Sequence, residues 1–132
     1  MIVSAILLTG CNAIGNSAST QTNTAITTAP DSVTWCITEP QTQEKCYAPV
    51  QFVSGETAYD TFNALQQREE TVSFKATNYG DSGYFVDTVN GIAGDAKAFW
   101  KLAYNGEEAQ VGISAIQVKN NDKLSFTYEA VK

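Results

Sequence analysis

The stretch Phe99-Trp-Lys-Leu-Ala-Tyr-Asn-Gly106 decides the fold of this chain. Its aromatic residues predict a β-strand, because such side chains are enriched on the pleated, half-buried surface of a sheet. The Asn-Gly pair that follows is the strongest two-residue signal for a hairpin, since both central residues of a type I′ turn need a positive φ. The segment Tyr84–Val89, followed by Asn90-Gly91, has the same arrangement. We therefore predict two hairpins whose registers are set by their turns.

The other strands are predicted from apolar alternation and turn residues. They are a strand at Val33–Thr38, a turn at Glu39–Lys45, a return strand at Cys46–Val53, a strand at Val72–Thr77, a short extended segment at Gly112–Val118 and a final strand at Lys123–Glu129. Pro49 marks the return strand as an edge strand or a bulged one, because proline cannot donate to a sheet ladder.

One helix is predicted from Thr57 to about Glu69. Thr57 and Asp60 have the spacing of a capping box, in which each side chain bonds the other residue's backbone N–H. A narrow apolar face then follows at helical spacing, formed by Ala58, Phe62 and Leu65.

Charge divides the chain into two parts. All charged residues, 8 basic and 14 acidic, lie between Asp31 and Lys132. Residues 12–30 are mainly Ser, Thr, Asn and Ala, which bury too little apolar surface to offset the entropy of ordering, so they predict a flexible tether. Residues 31–132 are predicted to form one domain of roughly 100 residues.

The beginning of the chain resembles a bacterial lipoprotein signal, residues 1–11. An apolar run ends in Leu8-Thr-Gly-Cys11, the pattern of a lipobox. The resemblance implies lipid attachment to Cys11 and a location outside the cytoplasm, at the cell surface. Cys36 and Cys46 can pair there as a disulfide, because that environment is oxidising. They would face each other across the first hairpin, and closing this short loop contributes about 2–3 kcal/mol.

The order of hairpin, helix and further strands predicts an α+β fold. We expect a β-grasp-like domain in which one helix packs on a curled mixed sheet and the N-terminal hairpin is linked by a disulfide. The alternative is an all-β sandwich that tolerates one helix.

The second half of the chain resembles a bacterial domain family related to the C-terminal domain of transcobalamin and intrinsic factor. The matching motifs are Gly55-Glu-Thr57, Gly83–Gly91, Phe99–Gly106, Gly112-Ile-Ser114 and Asn121–Tyr128. Asn121 stands where the family usually has glycine, and asparagine also tolerates the left-handed conformation. The resemblance covers about Gly55 to Tyr128. Because transcobalamins carry vitamin B12, the resemblance implies a corrinoid, cobalamin-like ligand.

The candidate ligand site combines an aromatic strand face with a loop. Trp100 and Tyr104 share one face, and an apolar platform of this kind suits a planar ligand. In the loop Gly112-Ile113-Ser114, Gly112 lets a backbone approach the ligand without a Cβ in the way. The alternative is that Trp100 and Tyr104 are core residues and Gly112 serves a turn or a bulge.

Several classes of function are not expected. The net charge of −6 argues against nucleic acid as a partner, and histidine, the usual general base and zinc ligand, is absent. Carboxylate pairs at Asp81 and Asp87 or at Glu107 and Glu108 are more typical of solvated loops and strand ends than of catalysis. A calcium site from Asp81, Asp95 or Asp122 lacks regular ligand spacing. We therefore predict neither an enzyme nor a metal site, and no required cofactor.

The leading hypothesis is a monomeric, lipid-anchored module at the cell surface that binds a corrinoid or another small cofactor. Its only contact with the membrane would be the lipid anchor. The alternative is a structural or adhesive surface module that binds a protein or glycan partner.

Overall fold

The computed structural model describes residues 29–132. Cys11, the lipobox and residues 12–28 of the tether lie outside the described residues. The elements are β1 (Ser32–Thr38), β2 (Lys45–Gln51), α1 (Ala58–Arg68), β3 (Phe74–Asn78), β4 (Tyr84–Val89), β5 (Ile92–Ala93), β6 (Ala98–Tyr104), β7 (Glu107–Glu108) and β8 (Lys123–Ala130). Short 3₁₀ turns lie at Gly80–Ser82 and Ile113–Ala115.

The strands form two sheets. The larger one has five strands in the order β2-β1-β8-β6-β7, and the smaller one has three in the order β3-β4-β5. Among the strands of the described residues, β1 and β8 are the one parallel pair, and the other neighbouring strands are antiparallel. The predicted α+β class, with one helix on a core made mostly of sheet, is confirmed. The prediction of a single curled sheet is wrong, because β3, β4 and β5 form a separate sheet. The β-grasp assignment stays a prediction.

The core is an aromatic cluster that joins the helix to the centre of the larger sheet. The ring of Trp35 on β1 lies 4.4 Å from that of Phe62 on α1 and 5.6 Å from that of Phe126 on β8. Phe62 also lies 4.8 Å from Phe74 of the smaller sheet. The indole N–H of Trp35 donates to Thr61 Oγ1 at 2.8 Å, so a buried donor is satisfied inside the core.

The predicted helix is confirmed almost to the residue. Thr57 is its N-cap, and the capping box with Asp60 is complete. Ala58, Phe62 and Leu65 are each 0% exposed, so the apolar face read from the sequence is the one that packs.

Both Asn-Gly turns are confirmed. Asn90 and Asn105 have φ values of 52° and 51°, and the glycines that follow also have positive φ. Asn121 has a φ of 74°, so it occupies the left-handed conformation that asparagine was expected to tolerate at this turn. Pro49 lies on β2, which is an edge strand as predicted.

The extended segment predicted at Gly112–Val118 is wrong in part. Residues Ile113–Ala115 form a 3₁₀ turn, closed by a bond from the Ala115 N–H to the Gly112 carbonyl. Ile113, Ile116 and Val118 are all buried, a spacing that a continuous strand cannot bury on one face. The chain straightens only afterwards, where Gln117 bridges to Thr57 at the start of the helix.

The predicted disulfide between Cys36 and Cys46 is confirmed. The two residues are direct partners in the register of β1 and β2. Cys36 follows Trp35 on a central strand and therefore lies on the face opposite the aromatic cluster. The bond links the edge strand to the centre of the larger sheet.

The carboxylate of Asp122, just before β8, links three segments of the chain through hydrogen bonds. It accepts hydrogen bonds from the Tyr104 hydroxyl at 2.6 Å, from Asn105 Nδ2 at 3.0 Å and from the Lys119 N–H at 2.7 Å. Burial favours the neutral acid, but these bonds and the charge of Lys119 outweigh it, so the pKa of Asp122 is lowered. The same bond to Asp122, together with burial, raises the pKa of Tyr104 to about 12.

We predict that Asp122→Asn lowers the free energy of unfolding by about 1–3 kcal/mol near neutral pH, because it places an amide against N–H donors. A lowered pKa in the folded state stabilises the fold above the unfolded value of about 3.9, and this contribution is lost as the pH falls through the folded pKa. In urea unfolding, the free energies of unfolding of Asp122→Asn and of the parent protein should therefore converge as the pH becomes acidic. Asp81→Asn, at an exposed carboxylate, is the control. An equal difference at every pH would contradict the role of the Asp122 charge.

Tyr104→Phe should lower the free energy of unfolding below about pH 10, and the difference from the parent protein should shrink at the alkaline end of the pH range. A raised folded pKa stabilises the fold below about pH 10, and this is lost as the pH rises through about 12. Among the 6 tyrosines, the ultraviolet titration should contain a late-ionising one that disappears in Tyr104→Phe. A titration curve that is unchanged in Tyr104→Phe would show that the hydrogen bond to Asp122 does not raise the pKa of Tyr104.

Replacing both Cys36 and Cys46 by alanine should cost about 3 kcal/mol, since the loop that they close has a sequence separation of 10. Denaturant unfolding of the double variant checks this. A loss below about 1 kcal/mol would mean that strand pairing alone constrains the hairpin.

Candidate functional site

Two loops meet beside the start of β4. The N–H of Gly112 donates to the Ser82 carbonyl at 2.8 Å, and the N–H of Tyr84 donates to Ser114 Oγ at 2.9 Å. The predicted ligand loop, Gly112 to Ser114, therefore lies against the strand end that residues 82–84 form.

Gly112 is required by close backbone packing. A Cβ at this position would clash with the Tyr84 carbonyl oxygen and lie 2.8 Å from its carbon. Its φ of −71° is ordinary, so the constraint is space and not conformation. The close approach predicted for Gly112 exists, but the neighbouring group is the backbone of β4. A larger residue here would test folding before it tested binding.

Trp100 and Ile113 are walls of the same region. Trp100 is 6% exposed and its indole N–H donates to the Ile92 carbonyl at 2.7 Å, while Ile113 is 1% exposed. Together with Gly112 they line a cavity of about 50 Å³. This volume is close to that of one or two water molecules, so the cavity alone holds no large ligand.

Tyr104 lies in a neighbouring depression of about 210 Å³. Ala109 and Val111 line both this depression and the cavity beside Trp100, so the two adjoin at the segment 109–111. The hydroxyl of Tyr104 is already bonded to Asp122. The structure thus brings Trp100, Gly112 and Ile113 together at one cavity and places Ser114 against Tyr84. Tyr104 lines the neighbouring depression and not this cavity. Their role in ligand binding stays a prediction.

Sequence reasoning missed an exposed aromatic surface next to this cavity. Tyr79 is 61% exposed, Phe85 is 40% exposed, and their rings lie 5.5 Å apart. With Ser82 they line an open trough of about 380 Å³. Phe85 also lines the Trp100 cavity together with Val111, which is 39% exposed. We call these four residues, Tyr79, Ser82, Phe85 and Val111, the Tyr79–Val111 surface.

Two signals in the sequence could have identified this surface. Tyr79 is an aromatic residue inside a polar, glycine-containing loop, where no core packing requires it. Phe85 stands next to Val86 in the predicted strand Tyr84–Val89, and successive side chains of a strand point to opposite faces, so one of these two apolar side chains is expected outside the core.

The acidic candidates have local structural partners or lie exposed. Asp87 accepts hydrogen bonds from the hydroxyls of Thr77 and Thr88. Asp95 accepts from the N–H groups of Lys97 and Ala98, as in an Asx turn. Asp81 and the pair Glu107 and Glu108 are exposed.

Within residues 29–132, one group of three possible metal ligands is close together: Cys36, Glu44 and Cys46. Its two sulfurs are bonded to each other. Within the same range, no helix has the length and apolar character needed to cross a membrane.

Haptocorrin and a bacterial protein are two of the solved structures that share this fold. Haptocorrin, crystallised in complex with Cbi, superposes with a TM-score of 0.66 over 77% of this chain, at 17% sequence identity. The chain spans only 25% of the length of haptocorrin. A protein from Ruminococcus gnavus ATCC 29149, provisionally described as metal binding, superposes with a TM-score of 0.55 over 77% of this chain and 99% of its own, at 16% identity. At such identities the likeness establishes a common fold.

None of the functionally curated proteins is detectably similar in sequence to this chain. The model of a domain family of unknown function, DUF4430, matches residues 55–130, which include α1 and every strand from β3 to β8. The match spans more than half of the sequence, and the chain belongs to the DUF4430 family.

Proposed function

We propose that this chain is a small-molecule-binding module held at the outer surface of a bacterial membrane by a lipid on Cys11, and that its ligand is a corrinoid. The observation that carries the proposal is the Tyr79–Val111 surface. Exposed apolar patches of this kind on small domains mark binding sites, because solvent exposure of several large apolar side chains is otherwise unfavourable. No catalytic step is part of the proposal, and the module is proposed to act as a monomer.

The shape of the surface supports a planar ligand. The rings of Tyr79 and Phe85 border an open trough, and Val111 extends the apolar area towards the loop that contains Gly112. One face of a broad ring system could lie on these side chains, with its edge near the polar Ser82. Because the trough is open, most of a corrinoid would stay in solvent, and we expect an affinity well below that of a site that encloses its ligand.

The common fold with haptocorrin supports a corrinoid in particular, since that protein was crystallised with Cbi. The resemblance of the sequence motifs to the transcobalamin C-terminal domain gives the same indication.

The arrangement β2-β1-β8-β6-β7, with a parallel pair at its centre, supports the further proposal that the larger sheet is a variant of the β-grasp fold.

Phe85→Ser and Tyr79→Ser should each weaken binding of cobalamin and cobinamide about tenfold, equivalent to about 1.4 kcal/mol, because each removes one aromatic contact. Isothermal titration calorimetry of the purified protein measures this. The matched control is Phe99→Ser: Phe99 is 38% exposed and lies outside this surface. The experiment should give one-to-one binding that Phe99→Ser leaves unchanged.

Absence of heat at high micromolar corrinoid would contradict the choice of ligand. Equal weakening by Phe85→Ser and Phe99→Ser would contradict the location of the site. Loss of stability is checked separately by thermal unfolding of each variant, and we expect changes of less than about 1 kcal/mol at such exposed positions.

The lipid anchor is tested independently of the ligand. Cys11→Ser should abolish incorporation of labelled fatty acid and release the protein from the membrane fraction, because the thiol of Cys11 is the proposed point of attachment. Incorporation that persists in Cys11→Ser would contradict the anchor. Membrane association without any label would point to a protein partner instead.

A further inference from the structure

A second cleft lies between the larger sheet and the turn of the smaller one. Its wall on the larger sheet is formed by Ile37 and Tyr47, and its other side by Thr71 and Asn90. Glu39 and Thr42, in the turn between β1 and β2, form part of its rim. The cavity has a volume of about 240 Å³ and shares no residue with the Tyr79–Val111 surface. We call it the Tyr47 cleft.

One long-range hydrogen bond joins two residues that line the cleft. Asn90 Nδ2 donates to Glu39 Oε2 at 2.7 Å, across 51 residues of sequence. Asn90 is itself fixed, because its own N–H donates to the Ser73 carbonyl and its Oδ1 accepts from the Ser73 N–H. The rim on both sides is therefore tied together, although it is built from two turns.

The hydroxyl of Tyr47 is the central feature of the cleft. The residue as a whole is 9% exposed and lines the cleft, and its hydroxyl takes part in none of the side-chain hydrogen bonds found among residues 29–132. A tyrosine hydroxyl without a partner in the protein can donate one hydrogen bond and accept others. The structure thus leaves a donor and acceptor of the cleft wall for a group that enters the cleft.

The chemistry of the lining favours a neutral ligand that carries several hydroxyl groups. Thr42, Gln43, Thr71 and Asn90 supply uncharged hydrogen-bonding groups, whereas Glu39 and Lys45 supply one charge of each sign. The ammonium of Lys45 lies 5.3 Å from the centre of the Tyr47 ring, a cation–π contact. An apolar wall with a rim of hydroxyl, amide and carboxylate groups matches the two kinds of surface that a sugar ring presents.

We infer that the Tyr47 cleft is a binding site for a monosaccharide-sized sugar or sugar terminus, recognised through the Tyr47 hydroxyl and the polar rim. The volume agrees with this size, since it lies below the range of about 300–1,000 Å³ typical of drug-sized ligands. The inference does not rest on the proposed corrinoid site, because the two surfaces have no residue in common.

The test is a titration of the isotopically labelled full chain with glucose, galactose and N-acetylglucosamine, followed by amide chemical shifts. At least one sugar should give saturable shifts in residues 37–47, 71 and 90. Tyr47→Phe removes only the hydroxyl and should raise the Kd about fivefold, as expected for the loss of one hydrogen bond between neutral groups. Tyr84→Phe, whose ring lies outside the cleft, is the matched control and should leave the Kd unchanged.

A second variant guards against a folding effect of Tyr47→Phe. Thr71→Val, at an exposed rim position, should also raise the Kd while leaving the thermal unfolding curve of the protein unchanged. Three results would overturn the inference. They are no saturable shift with any of the three sugars, shifts that Tyr47→Phe and Thr71→Val do not weaken, or binding of free amino acids in place of sugars. A corrinoid titration that fails while a sugar binds would reject the proposed function and leave this inference intact.

Discussion

The burial of Trp35 is the interaction on which the rest of the structure depends. Its ring lies between Phe62 of the helix and Phe126 of the last strand. Its indole N–H is bonded to Thr61, so the largest side chain of the core carries no unsatisfied donor. Because β1 and β8 are parallel neighbours, this contact joins the two ends of the domain in the middle of the sheet. The hairpin, the helix and the second sheet are then positioned around one cluster.

Both candidate sites are formed by loops and turns that connect the helix and the strands. The 3₁₀ turn at Ile113–Ala115 is held against β4 by Ser114, and Gly112 allows that contact because it has no Cβ. This packing turns Phe85 and Val111 outwards together. Elsewhere in the fold, the hydrogen bond between Glu39 and Asn90 links the first hairpin to the smaller sheet at the Tyr47 cleft. Both candidate sites thus lie next to hydrogen bonds that hold separate parts of the fold together.

The sequence was informative where a local rule determines the structure. The Asn-Gly turns, the capping box of Thr57 and Asp60, the edge position of Pro49 and the disulfide were all predicted correctly, because each depends on a few neighbouring residues. The separation into two sheets was not predicted, since it depends on which strands pair over long distances. The 3₁₀ turn was missed because its burial pattern is set by tertiary contacts of Ile113 and Ile116. The same limit explains why a close backbone approach at Gly112 was expected but its neighbour, the backbone of β4, was not, and why the Tyr79–Val111 surface emerged only from the fold.

The central claim is that a corrinoid binds at the Tyr79–Val111 surface. Amide hydrogen exchange of the protein with and without cobinamide tests it most directly, because the method locates a ligand without altering any residue. The account predicts slower exchange confined to residues 79–86 and 109–114 when cobinamide is added. Unchanged exchange throughout the domain, or protection centred on residues 37–47, would contradict it.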